Sequence, residues 1–183
     1  MIITISGKPG SGKSTIARII AKKLRLNHYS IGDLQRKYAK EKGITIEELG
    51  RLELKNEKID KEVDEYQTKL SEKEDNFIID GRLSFNFIPK SIKIFLECED
   101  DEGAKRIYDD TKTNKRDCSE RKTRSLEETK DIMLKREKDN QKRFLKYYDI
   151  DFLDEKNYDI VVDTTNIGAE EAAEKILKFI KKQ

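Results

Sequence analysis

The stretch Ile2-Ile3-Thr4-Ile5-Ser6-Gly7-Lys8-Pro9-Gly10-Ser11-Gly12-Lys13-Ser14-Thr15 runs from an apolar, strand-like segment straight into a glycine-rich loop. Ile16, Ile19, Ile20 and Leu24 then recur at helical spacing, so a strand, a loop and a helix follow one another without a gap. A loop of this kind lets backbone N–H groups close around phosphate oxygens at a helix N-terminus, where the peptide dipoles favour negative charge. Lys13 supplies a mobile cation for β- and γ-phosphates, and Ser14 offers a hydroxyl to Mg²⁺. Gly7 to Thr15 (Gly7, Lys8, Pro9, Gly10, Ser11, Gly12, Lys13, Ser14 and Thr15) therefore reads as a P-loop that holds a nucleotide triphosphate. An ordinary glycine-rich βα turn is the competing reading, and the agreement of strand, loop and helix weighs against it.

Working outward, further strand-like runs occur at His28 to Ile31, Phe77 to Asp80, Ile92 to Leu96 and Asp159 to Asp163, with helical patterns between them. Five short strands alternating with helices imply a doubly wound α/β fold with a largely parallel sheet, whose ligands gather at the carboxyl ends of the strands. Thr45-Ile46-Glu47-Glu48 and Ser125-Leu126-Glu127-Glu128 carry the capping-box pattern of helix starts, and Gly168 precedes a closing helix over Ala169 to Lys181. At 183 residues the chain suits one domain with a small insertion. Charged residues make up 42%, yet 39 basic and 37 acidic side chains leave only +2, so no global field draws the protein to nucleic acid or to a membrane surface. Cys98 and Cys118 are too few for a disulfide framework or a metal site, and His28 is the only histidine. No apolar run approaches the ~20 residues that span a bilayer. A reducing cytoplasm is the expected location.

Three more clusters follow strand ends. In Ser30-Ile31-Gly32-Asp33-Leu34-Gln35-Arg36, Gly32 and Asp33 fit a turn into a helix, with Ser30 and Arg36 facing the P-loop crevice. Asp33 reads equally well as a helix N-cap or as an outer-sphere partner of Mg²⁺-bound water. In Phe77-Ile78-Ile79-Asp80-Gly81-Arg82, a strand closes on a carboxylate that can hold Mg²⁺ through water, while Arg82 turns into the cleft. A plain β-turn with an exposed arginine is the alternative. On a long helix beginning near Leu126, Arg136, Asn140 and Arg143 share one face. That face is either a clamp for a transferring phosphoryl group or a salt-bridged surface. Lys112 to Arg124 carries six basic and two acidic residues without apolar periodicity, which suits a mobile cationic lid or a solvated loop.

The order of P-loop, Ser-x-Gly-Asp-x-x-Arg, Asp-Gly-Arg and a late helix with two arginines seven apart resembles the nucleoside monophosphate kinases, most closely the compact cytidylate kinases of archaeal type. Ile59-Asp60 with Asp64 and Gln67, Arg82 followed by Leu83, and Tyr148-Asp149-Ile150-Asp151 sharpen the likeness, which covers nearly the whole chain. The resemblance implies a P-loop NTPase three-layer fold with a helical acceptor-binding insert at about 33–70 and a short lid region at about 108–143. It implies Mg²⁺ with ATP as donor and CMP or dCMP as acceptor, acted on by a monomer. Ser30, Arg36 and Arg82 would hold the acceptor monophosphate, and Asp60, Asp64 and Gln67 its base or sugar. Lys13, Arg82, Arg136 and Arg143 would serve catalysis, with Ser14, Asp33 and Asp80 toward the metal. Bacterial members place acidic residues where this chain has Leu83 and Asn140.

Phosphoryl transfer needs alignment and charge neutralisation rather than a covalent nucleophile, so the lack of a catalytic histidine is no obstacle. Other readings are a P-loop kinase acting on AMP, UMP or an alcohol, a nucleotide-sensing module without turnover, and RNA binding through Lys112 to Arg124. The paired Arg36 and Arg82 favour a phosphorylated acceptor over an alcohol.

Overall fold

The computed structural model describes residues 1–113 and 123–182, with the side chains of residues 57, 58 and 60 also set aside. The expected contact from Asp60, Cys118 and most of the cationic stretch 112–124 therefore lie outside the described residues.

Five strands, β1 (Ile2–Gly7), β2 (Asn27–Ser30), β3 (Phe77–Asp80), β4 (Ile92–Glu97) and β5 (Ile160–Asp163), form one sheet in the order β2-β3-β1-β4-β5. Every neighbouring pair is parallel. Parallel strands need covered faces, and β1, which is buried along its whole length, is apolar at Ile2, Ile3 and Ile5. On one face α1 (Lys13–Leu24) and α8 (Ala169–Ile180) pack Ile16, Ile20, Ile176 and Ile180 against Ile3, Ile5, Ile94 and Leu96. On the other, Phe77, Ile79 and Ile88 form a second cluster, and Leu83, Phe85, Phe144 and Phe152 a third. The result is the expected three-layer α/β arrangement. Strand order reverses at β1, and such a reversal opens a crevice at the carboxyl ends of the strands.

Between β2 and β3 the chain makes α2 (Ile31–Glu41), α3 (Ile46–Lys55) and α4 (Glu57–Lys73). A short α5 (Ser84–Phe87) follows β3, then α6 (Asp100–Lys112) follows β4 and α7 (Leu126–Tyr148) crosses back toward the three-helix insert. Thr45 and Glu48 complete a reciprocal capping box at α3. At α7, Ser125 accepts from Glu128 N, but the Glu128 carboxylate turns to Arg124 N instead of completing the box. Several element ends lie one residue from the sequence reading: β1 and β4 run on to Gly7 and Glu97, β2 starts at Asn27 and β5 starts at Ile160. Ile31 opens α2 rather than ending β2, because Ser30 Oγ accepts from Asp33 N; Ser30, not Asp33, is the N-cap. The closing helix stops at Ile180. Among the described residues no helix is long and apolar enough to cross a membrane.

Candidate active site

The P-loop lies at the carboxyl end of β1. Gly10 has φ +74°, and a Cβ there would stand 2.3 Å from the backbone oxygen of Gly103, so glycine is required both for the turn and for the close approach of α6. Ser11 Oγ donates to Lys8 O at 2.7 Å, and Lys13 Nζ donates to Gly7 O at 2.9 Å and Lys8 O at 2.6 Å, which holds the ammonium over the loop. Lys8 itself turns away, to Asp100 at 3.1 Å and Glu97 at 3.7 Å. Arg106 on α6 binds the loop to the turn after β5, donating to Thr164 O at 2.8 Å, Thr165 O at 3.1 Å and Gly10 O at 3.4 Å.

Beside the loop, Asp80 is buried at the end of β3 and meets three side chains. Ser14 Oγ and Ser30 Oγ donate to its Oδ2 at 2.8 and 3.0 Å, and His28 Nε2 lies 2.7 Å from its Oδ1. With its proton committed to Asp80, Ser14 keeps its lone pairs for a cation. Hydroxyl and carboxylate oxygens are the hard donors Mg²⁺ takes, usually with several of its waters retained, so Ser14 and Asp80 fit that ion. Asp33 stands apart from this pair, exposed and bonded to Arg36 Nη2 at 2.5 Å.

The opposite wall is cationic. Arg82 Nε is sealed from solvent and has no hydrogen-bond partner. Burial, then the like charges of Arg136 and Arg143, push this guanidinium down from 12.5 to about 9. Arg143 is buried and pairs closely with Glu53 of α3, which also accepts from Gln35 Nε2 at 2.8 Å. Asn140 is buried as well, so the Arg136–Arg143 face of α7 is an interior face and not a solvated surface. On α4, Gln67 is buried with Oε1 unpartnered, while Asp64 accepts from Tyr148 OH. Burial outweighs that hydrogen bond and the Arg143 charge, and raises the Asp64 carboxyl to about 6.

A crevice of about 950 Å³ joins these parts. Pro9 to Thr15, Asp33, Arg36, Asp64, Gln67, Asp80, Arg82, Arg136 and Arg143 all line it. Gly7 backs onto Leu96, Lys8 faces its acidic partners and Ser30 sits behind Asp80, so none of the three lines it. Sequence reasoning passed over His28, Glu53 and Arg106. The first two act through partners 52 and 90 residues away, and Arg106 binds carbonyls that leave no side-chain signature.

A phosphate cradle that faces a second cationic wall across one crevice is what a phosphotransferase of the P-loop kinase class requires, and this protein is of that class. Within it, the chain belongs to the cytidylate kinase-like family, whose sequence pattern matches residues 2–166, and it is a nucleoside monophosphate kinase. It is 34% identical over 182 residues to the cytidylate kinase of Archaeoglobus fulgidus, covering 99% of this chain and 95% of that one. With the cytidylate kinase of Methanocella arvoryzae it shares 36% over 180 residues, covering 98% and 97%. The fold matches the crystal structure of shikimate kinase from Aquifex aeolicus with a TM-score of 0.60 at 21% identity, over 99% of this chain and 96% of that one.

Proposed function

We propose that the protein transfers the γ-phosphoryl group of ATP to CMP and dCMP, giving ADP and the corresponding diphosphate. The observation that carries this is Arg82: a guanidinium with Nε sealed from solvent, unpartnered, and flanked by two further arginines is costly unless an anion completes it. It lines the same crevice as the P-loop, which suits the phosphate of an acceptor held opposite a donor triphosphate. The choice of cytidine rests on the relatives named above.

In this reading Pro9 to Thr15 wrap the donor phosphates with Gly7 and Lys8 backing the loop, and Lys13 leaves the Gly7 and Lys8 carbonyls to lie along the β- and γ-phosphates. Arg36 and Arg82 hold the acceptor phosphate, with Arg136 reaching the transferring group from α7. Arg143, tied to Glu53, fixes α7 against the insert and lines the acceptor side of the crevice. Asp64 and Gln67 face base and sugar, with Asp60 assigned there by resemblance alone. An acceptor phosphate oxygen forms the new bond to the γ-phosphorus as the bond to the ADP bridging oxygen breaks. That oxygen is already anionic and needs no strong base. Mg²⁺, held through Ser14 and Asp80 with Asp33 at the edge of the crevice, supplies charge neutralisation on the phosphates when bound.

The test is ADP release with ATP, Mg²⁺ and each of CMP, dCMP, UMP, AMP and GMP, against a blank without acceptor. A strong preference for CMP and dCMP is the expected outcome. Preference for another monophosphate overturns the cytidine assignment, and release equal to the blank with every acceptor overturns the transfer itself.

A further inference from the structure

His28 is the only histidine in the chain, and the phosphoryl-transfer chemistry leaves it unused. It stands two residues before Ser30 on β2, so the two side chains leave the same face of that strand. The parallel register sets Ser30 beside Asp80 and His28 beside Ile78, which brings both side chains to the end of β3. There Nε2 lies 2.7 Å from Asp80 Oδ1, with 17% of the histidine side chain and 6% of the aspartate exposed. As a carboxylate Asp80 only accepts, so Nε2 carries the proton in this contact. Ser14 and Ser30 both donate to Oδ2; without His28 the carboxylate is anchored through that oxygen alone, and its broad terminal torsion is less tightly fixed. With His28, donors from α1 and from two positions on β2 fix its plane.

We propose that His28 is a positioning residue for the metal-nucleotide site: it locks the Asp80 carboxylate so that Oδ2 stays on Ser14 and the remaining lone pair faces the hydrated divalent cation of the bound nucleotide. The proposal rests on the Mg²⁺-nucleotide reading of the crevice given above. Outer partners that orient a metal-binding carboxylate are commonly worth about 10- to 100-fold in metal affinity. A histidine that merely fills the sheet edge would instead affect stability and leave the Mg²⁺ dependence alone.

Three substitutions separate these roles. A glutamine amide nitrogen falls close to the place of Nε2, whereas an asparagine nitrogen falls closer to that of Nδ1 and stops short of Asp80. The half-saturating free Mg²⁺ concentration, measured in turnover at saturating nucleotides, is expected to rise about 10-fold in His28→Leu and His28→Asn and to stay within about threefold in His28→Gln. Calorimetric titration supplies the second readout. ATP binding in EDTA is expected to be equal in all four proteins, while ATP binding in excess Mg²⁺ weakens in the Leu and Asn variants only. Unchanged Mg²⁺ dependence in His28→Leu overturns the proposal, as does His28→Gln being as impaired as His28→Asn. Should the Leu variant fail to fold, the Gln and Asn comparison decides alone. Wild-type protein that binds no ATP would instead sink the nucleotide reading on which the role depends.

Discussion

Replacing Arg82 with methionine is expected to stabilise the protein while removing its acceptor turnover. The wild-type guanidinium is pushed from 12.5 to about 9 by burial and by Arg136 and Arg143. Taken at face value, that gap corresponds to about 5 kcal/mol against the charged form in the folded state. The residue as a whole keeps partial exposure, and interior sites respond as if their dielectric were nearer 20 than 4, so well under half of this is realised. A gain of about 1–2 kcal/mol remains once methionine fills the volume, which in a domain of this size raises the melting temperature by roughly 2–8 °C. The assay is thermal unfolding at pH 7 with and without CMP. Wild type gains stability with CMP because the anion completes Arg82, whereas the Arg82→Met protein starts higher and gains little. A variant that melts below wild type, or that responds to CMP as wild type does, would refute the claim that this guanidinium is held for an anion.

Three further outcomes follow from other parts of the site. Asp64 is raised from 3.8 to about 6, so its contribution to stability is fully present below about pH 4 and is lost as the pH rises through about 6; Asp64→Asn should flatten the pH dependence of the urea unfolding free energy over that range by about 1 kcal/mol, and an unaltered pH profile would contradict the burial argument. In the Glu53–Arg143 pair both side chains are only 4% exposed, so Glu53→Leu alone should cost about 3–5 kcal/mol in urea unfolding, while Glu53→Leu with Arg143→Leu recovers most of the loss. Additive losses in the double variant would show that the two charges do not offset one another. A Cβ at residue 103 would lie 2.6 Å from Pro9 O, so Gly103→Ala should displace the P-loop and weaken ATP binding about 10-fold, roughly 1.4 kcal/mol, although alanine favours the helix; unchanged affinity by calorimetry would mean the loop yields freely.

Sequence alone carried the sheet and the position of the P-loop beside the crevice because both are written in local pattern. Apolar runs ending in Gly7 and Asp80 mark strands whose carboxyl ends open on the crevice, and the P-loop glycines are demanded by backbone geometry rather than by distant partners. The N-cap reading of Asp33 gives way because Ser30 also belongs to a capping residue type, and the geometry of the β2–α2 turn gives the cap to Ser30. The Arg136–Asn140–Arg143 face left open a clamp or a solvated helix. Burial of Asn140 and Arg143 decides that the face is interior, and Arg143 there pairs with Glu53, 90 residues earlier. Tyr148 with Asp64, His28 with Asp80 and Arg106 with the Thr164 carbonyl are likewise long-range, and no spacing along the chain encodes them.

The path of one phosphoryl group decides what this crevice does. ATP labelled in its γ-phosphate, incubated with the protein, Mg²⁺ and CMP and resolved by chromatography, should yield label in CDP in step with ADP, with Lys13→Ala folded but nearly inactive. Label appearing only in inorganic phosphate, or in CDP at an equal rate from the Lys13→Ala protein, would contradict transfer between the P-loop and the Arg82 wall.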